Sequence, residues 1–488
     1  MSVVEEFNSD VLVVSVALLL ALGTFWLTRW VPIPAPALLL IAAAIASDLV
    51  PELGIEIVTV ERIGVVALIV ILLDGGIHVG WRRFRRAALP IAALGIVGTF
   101  VTAAVVAMAA HYMLDFSWTT SWLIGAALAP TDPAVMFSVL GNREVGGRSG
   151  TILEGESGVN DPVGIALMIG IIEFARADDG SLWAIASEFG LQMVVGLAVG
   201  IAGGLLLVPV IQRVSLPREG LYPIRVLIAA GVVYGLTSVL HGSGFLAVFI
   251  TGLLIADVHA PYKTEIERFH TALASLAEIA VFIALGLTIA GPSDLWGEIP
   301  EGLVLALVLA LVARPIAVLL LLPMVPMRWG ERLFVMWGGL KGAVPILLAA
   351  FVLIADLEDS LSVYNIVFVV VAFSVIVQGS TIPIAARRLR VPMRAVELSP
   401  WDYSIRLRTR PEAIRSFVVG NGSRVVGRTI RELPLGEDTW ISLVVREGEA
   451  RHPRGSYMLA ARDEVHVLTS EEDIPALQRL FAGRRDQT

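Results

Sequence analysis

The chain has 488 residues, 56% of them hydrophobic and only 16% charged, with a formal net charge of −8. That balance is too apolar for an ordinary soluble globule, does not imply nucleic acid as a partner, and is the balance of a polytopic membrane protein. Cysteine is absent, which excludes disulfides, thiol catalysis and cysteine-ligated metal sites.

Residues 1–10 are acidic where a cleaved signal would be basic, so the first apolar run reads as a retained helix. Runs near the ~20 residues that cross a bilayer follow at 10–29, 33–49, 62–79, 88–112, 118–140, 150–175, 183–212, 223–240, 244–257, 269–290, 300–322, 333–355 and 363–386. Merging the eighth and ninth across His241-Gly242-Ser243-Gly244 would give twelve. Thirteen, with the N-terminus outside, puts seventeen Lys and Arg in inner loops and only Arg62 and Arg176 in outer ones, a strong positive-inside signal. The C-terminus is then cytoplasmic.

Two of the thirteen are interrupted. The fifth carries Ala129-Pro130-Thr131-Asp132-Pro133 and the twelfth Gly338-Gly339-Leu340-Lys341-Gly342-Ala343-Val344-Pro345. Proline removes a backbone donor and clashes with the preceding turn, so both helices should break there. If helices one to six and eight to thirteen are repeats joined by the seventh, an odd number of spans separates equivalent helices, and the halves are inverted. Broken helices 5 and 12 are then equivalent, which points to a transporter site near the midplane. Half-helix ends carry partial charges, and Asp132 and Lys341 are expected to offset them.

The sixth run holds Glu156-Ser157-Gly158-Val159-Asn160-Asp161-Pro162. An ionised Asp at that depth costs about 2.5–3.5 kcal/mol, so the group should face protein or water and reads as an ion or proton site. On a helix Glu156 and Asn160 share a face, while Asp161 is turned by about 100° from Asn160. Asp161 is the candidate for exchanging a cation for a proton. Glu156 needs a buried partner, and Arg314, in the eleventh run, is the obvious one. Asp74 of the third run divides evenly between a cation-path carboxylate and a packing contact. Glu154 is weighed as lining a cytoplasmic mouth or as solvated, and Glu278 as structural. His78, His111, His241 and His270 lie near span ends, where an interfacial histidine is more often bland than pH-sensing. No pattern suggests a transition metal, a cofactor or a catalytic nucleophile, so an enzyme is not expected.

Beyond residue 394 the composition turns dense in arginine and acid. Strands are expected at 416–419, 440–446 and 464–470 and a closing helix at 473–481. The division is a transmembrane domain 1–390, a linker 391–414 and a small cytoplasmic α+β domain 415–488. The fold class is therefore an all-α polytopic membrane protein with about 13 transmembrane helices in two inverted repeats, plus that domain.

Thr131-Asp132-Pro133, the stretch 156–162 with its Asn160-Asp161 pair, residues 242–245, Arg314-Pro315 and residues 338–344 together resemble the cation/proton antiporter-1 family of NhaP type. The resemblance covers essentially the whole membrane region. It implies a thirteen-helix inverted-repeat fold, a dimer and an elevator-like moving core. It further implies that Asp161 binds the cation or proton, that Ser157 and the Thr131 backbone complete the site, that Asn160 accompanies Asp161, and that Glu156 and Arg314 pair. The Asn-Asp pair, in place of two aspartates, implies electroneutral exchange of one cation for one proton. One departure is Lys341, where the family usually has Arg; a point charge replaces a forked donor. Residues 416–481 resemble an RCK C-terminal, or TrkA-C, domain through Val426-Gly427-Arg428-Thr429-Ile430 and His452-Pro453-Arg454-Gly455. That resemblance implies pairing or binding of a small ligand such as a nucleotide second messenger, with no residues to assign to it. The expectation is a K+ or Na+/H+ antiporter of a bacterial plasma membrane, tilted towards K+ by the tail. Alternatives are an electrogenic cation transporter and an RCK-regulated cation channel, which would need a carbonyl filter that this sequence lacks.

Overall fold

Proline and glycine set where the helices stop, and apolar length sets which of them can cross a bilayer. The computed structural model describes residues 3–27, 30, 34–50, 53–140, 143–176, 182–258, 260–288, 295, 297–322, 325, 327–395, 413–435, 439–446, 449–451, 453–469 and 474–482. Helix is found within each of the thirteen apolar stretches. Among the described residues, seven helices are long and apolar enough to span a membrane: Ala88–Leu114, Arg148–Arg176, Ile185–Arg213, Leu221–Val239, Lys263–Leu287, Ile299–Leu321 and Ser360–Arg388. Shorter apolar helices include Ala35–Leu49, Gly244–Ala256 and Ala343–Ile354.

Both expected interruptions are present. Trp118–Leu128 and Pro133–Leu140 are separate helices, with Pro133 at the first helical position, where its missing N–H costs nothing. Trp329–Trp337 and Ala343–Ile354 are likewise separate, joined through residues 338–342. Among the described residues, three long helices also contain a π-helical turn, at Ala93–Gly98, Leu309–Ala313 and Ser374–Gly379. Such turns recur at functional sites; the second ends at Arg314 and the third begins with Ser374, both used below.

The chain divides into two compact units, Met1–Val396 and Glu397–Thr488. Within the first, strand β1 (Arg143–Val145) pairs antiparallel with β2 (Met393–Ala395). The opening residues of the expected linker are thus held in a strand. The second unit is an antiparallel sheet of β3 (Ala413–Val418), β4 (Trp440–Arg446), β5 (Glu449–Arg451) and β6 (Glu464–Thr469), in the order β3-β6-β4-β5. In β6, Val465, Val467 and Thr469 are buried alternately, the period-2 pattern of a sheet with one covered face. The helix Ile474–Phe481 supplies Leu477 and Phe481 to the same core, with the Phe481 ring stacked on Phe417 at 5.4 Å.

Candidate functional site

The two broken helices meet at their breaks. The Asp132 amide donates to the Leu340 carbonyl at 2.8 Å. The Lys341 ammonium donates to the Ala129 and Pro130 carbonyls at 2.9 and 2.8 Å, where the half-helix Trp118–Leu128 ends. A C-terminal end carries partial negative charge and orphan carbonyls, so a cation there satisfies both. In the other direction the Asp132 carboxylate lies against Gly342, the residue that begins the half-helix Ala343–Ile354; a Cβ on Gly342 would come within 2.6 Å of the Asp132 Cβ. The Lys341 side chain thus meets the end of one half-helix, and the Asp132 carboxyl lies beside the start of the other. Ser374 secures the arrangement: it accepts from the Lys341 amide at 2.9 Å and donates to Gln378 Oε1 at 2.8 Å. Neither Ser374 nor Gln378 belongs to a motif that the sequence sets apart. A Ser and a Gln four residues apart in an apolar run were the available signal.

The helix Gly147–Arg176 packs beside this crossing and carries two polar faces. On one, Glu156 and Arg314 form a buried bidentate pair: Nη1 bonds Oε1, and Nη2 lies 2.8 Å from Oε2 and 3.3 Å from the Val335 carbonyl. Asn160, one turn on, donates through Nδ2 to Thr131 Oγ1 at 2.7 Å, tying this helix to the first break. On the other face Ser157 and Asp161 are four apart, and both are buried. Asp161 is only 4% exposed. Asp161 Oδ1 and Asn160 Oδ1 are buried with no hydrogen-bond partner among the described residues. Pro162 has no amide hydrogen, so the Gly158 carbonyl lacks its usual helical donor as well. The result is a set of hard oxygen acceptors within one turn of one helix.

Asp74 lies on the helix Ile57–Val79 with different partners. It accepts from Thr271 Oγ1 at 3.1 Å and lies 3.3 Å from His78 Nδ1. No hydrogen bond joins it to the group around Asp161 among the described residues. Glu278, on Lys263–Leu287, is within electrostatic reach of Asp132, and its Oε1 is buried without a partner among the described residues. His270 is fully buried, with Nδ1 at 2.7 Å from the Ile266 carbonyl. His111 stacks on Trp118 at 4.1 Å, and His241 sits at a helix end with φ of 57°.

A family model described as the transmembrane sodium/hydrogen exchanger matches residues 14–388, a span that contains every residue of the crossing and the carboxylate helix. This chain belongs to the sodium/hydrogen exchanger family. A TrkA-C domain model matches residues 414–482. The chain is 31% identical to a K+/H+ antiporter NhaP of Alkalimonas amylolytica, over 98% of this chain and 84% of that one. It is 34% identical to a K+/H+ antiporter NhaP2 of Shewanella sp. strain MR-4, over 85% and 73%. An Na+/H+ antiporter NhaH of Halobacillus aidingensis is 31% identical over 61% of this chain and 75% of its own length. Among solved structures, the sodium proton antiporter MjNhaP1 of Methanocaldococcus jannaschii at pH 8 matches with a TM-score of 0.69 and 24% identity, covering 79% of this chain and 99% of that one. The exchanger fold is therefore the fold of this multi-pass membrane chain, with a TrkA-C domain following it.

Proposed function

We propose that the chain exchanges a monovalent cation, K+ or Na+, for H+ across the plasma membrane of a bacterium, with its N-terminus outside and its C-terminal domain in the cytoplasm. One observation carries the reading. Among the described residues, Asp161 and Asn160 each hold a buried oxygen without a protein donor, beside a crossing of two broken helices that also carries Asp132 and Lys341.

The chemistry follows from that accounting. A cation that sheds water needs hard oxygens, and Asp161 offers a carboxylate, with Asn160 Oδ1, Ser157 Oγ and the Thr131 backbone close by in sequence and fold. Either a cation or a proton neutralises Asp161, so the two compete for one place. The charge of Glu156 is answered by Arg314, and Asp161, on the same helix beside the crossing, is the proposed carrier. One carboxylate carries one charge in each direction, so the exchange is electroneutral and one for one. Binding of either ion removes the net charge of the site and lets the crossing and its helix move as a body in an elevator-like homodimer. The names of the K+/H+ relatives and the TrkA-C domain favour K+. That domain is proposed as a regulatory module that pairs or takes a small ligand such as a nucleotide.

Reconstitution in liposomes with a pH-sensitive dye tests the reading. Wild type should respond to K+ or Na+ and be indifferent to a valinomycin clamp in the Na+ runs, and folded Asp161→Asn should be silent. Continued exchange by folded Asp161→Asn would move the site elsewhere, and marked voltage sensitivity would defeat the one-for-one stoichiometry.

A further inference from the structure

Between the helix Ile57–Val79 and the span Ala88–Leu114 the chain makes one short helical turn, Trp81–Arg86, with the sequence Trp-Arg-Arg-Phe-Arg-Arg. Its two aromatic residues are three apart, hence on one face. Their rings stack at 6.1 Å, and Phe84 meets the Phe249 ring edge-on at 6.2 Å. The Phe249 ring in turn fills the space beside Gly158 that any side chain there would occupy. The Arg82 amide donates to Asp257 Oδ2 at 2.6 Å, fixing the start of the turn. The remaining faces carry Arg82, Arg83, Arg85 and Arg86, all exposed. None of their guanidinium groups is paired with a carboxylate among the described residues, although acids outnumber bases in the chain, 44 to 36.

We propose that this turn is a binding surface for the phosphate headgroups of anionic phospholipids. Three features select that partner. The turn leads directly into the candidate span Ala88–Leu114, on the side that the excess of Lys and Arg marks as cytoplasmic, where a span end meets the headgroups. Four unpaired forked donors match phosphate geometry. Trp81 at 39% exposure and Leu89 at 83% flank the arginines, supplying the interfacial aromatic and apolar contacts expected at the lipid boundary. Arginines that served only to orient the chain would need no aromatic keying. Here the keying runs through Phe84 and Phe249 to Gly158, two residues before Asn160, so a bound headgroup steadies the surface against which the carboxylate helix packs. The inference depends on the chain spanning a bilayer and not on which ions it exchanges.

The test counts bound phosphatidylglycerol on the full chain by native mass spectrometry, from detergent micelles doped with phosphatidylglycerol and phosphatidylcholine. Wild type is compared with Arg82→Gln/Arg83→Gln, Arg85→Gln/Arg86→Gln and the control Arg387→Gln/Arg388→Gln, which removes the same charge from another basic pair. A surface arginine is worth about fivefold in binding to anionic lipid. Each turn variant should therefore lose roughly 25-fold in phosphatidylglycerol affinity and nothing for phosphatidylcholine, with the control near wild type. Equal losses in all three variants would mean diffuse attraction, and unchanged binding in both turn variants would mean that the turn holds no lipid; either overturns the proposal. Because the chain has no cysteine, a single cysteine added at the C-terminus and labelled from one side of a liposome checks that each variant keeps its orientation.

Discussion

At the scale of single residues, the Glu156–Arg314 pair is the most consequential contact in the membrane unit. Two buried charges are tolerated only together, because removing one leaves the other desolvated and unanswered. Glu156→Gln should destabilise the protein by about 3–5 kcal/mol and lower its melting temperature in detergent by several degrees, while Glu156→Gln/Arg314→Met should recover part of the loss. A single variant as stable as wild type would mean that the pair holds nothing together. This pairing was legible in the sequence because a charge buried in an apolar run calls for a partner, and Arg314 was the obvious opposite charge in another run. The partners of Lys341 were not. Its acceptors, Ala129 and Pro130, are more than 200 positions away, and backbone carbonyls leave no mark in a sequence. Asp74 illustrates the same limit: its place inside an apolar run could be read, but its hydrogen bond from Thr271 depends on how two distant helices pack.

At the scale of elements, the crossing depends on close approach, and Gly342 is where that requirement is sharpest. A methyl group there would collide with the Asp132 carboxyl, which would have to leave the helix end it faces. Gly342→Ala should therefore lower exchange more than tenfold in a protein that still folds, whereas Gly235→Ala, with nothing within 4 Å of the added atom, should be silent or slightly stabilising. Equal rates for the two variants in the liposome assay would show that the crossing tolerates displacement of Asp132. The breaks were legible because proline and glycine act locally, on the residues beside them. The π-helical turns were not, since one extra residue in a turn changes no composition and no apolar run length. Nor was the β1–β2 pairing, in which Arg143 lies opposite Ala395; the two three-residue segments hold a single β-branched residue, Val145, between them, too little to mark a strand.

At the scale of the whole molecule, the chain joins two units stabilised by different physics, and the C-terminal one has its own electrostatic anchor. Asp463 is buried in the turn before β6, where it accepts from Arg446 Nε and Nη2 at 2.7 and 2.8 Å and from the Ala460 amide at 2.8 Å. Burial disfavours its charge, but the hydrogen bonds and the positive charge of Arg446 outweigh that and hold the carboxyl below the usual Asp range. The sign follows from linkage. A carboxyl with a depressed folded value stabilises fully above its unfolded value of about 3.9 and loses that stabilisation as pH falls through the folded value. Arg446 is 33% exposed, and solvent screens part of the attraction, so the group is worth about 2 kcal/mol near neutrality. Asp463→Asn in the full chain should thus speed amide exchange in β4 and β6 by roughly thirtyfold at pH 7, with the Met1–Val396 unit unaffected. The gap between variant and wild type, corrected for intrinsic exchange, should close as the pH drops below about 4. A gap that stays constant with pH would assign the effect to packing, and acceleration across both units would mean that they unfold together.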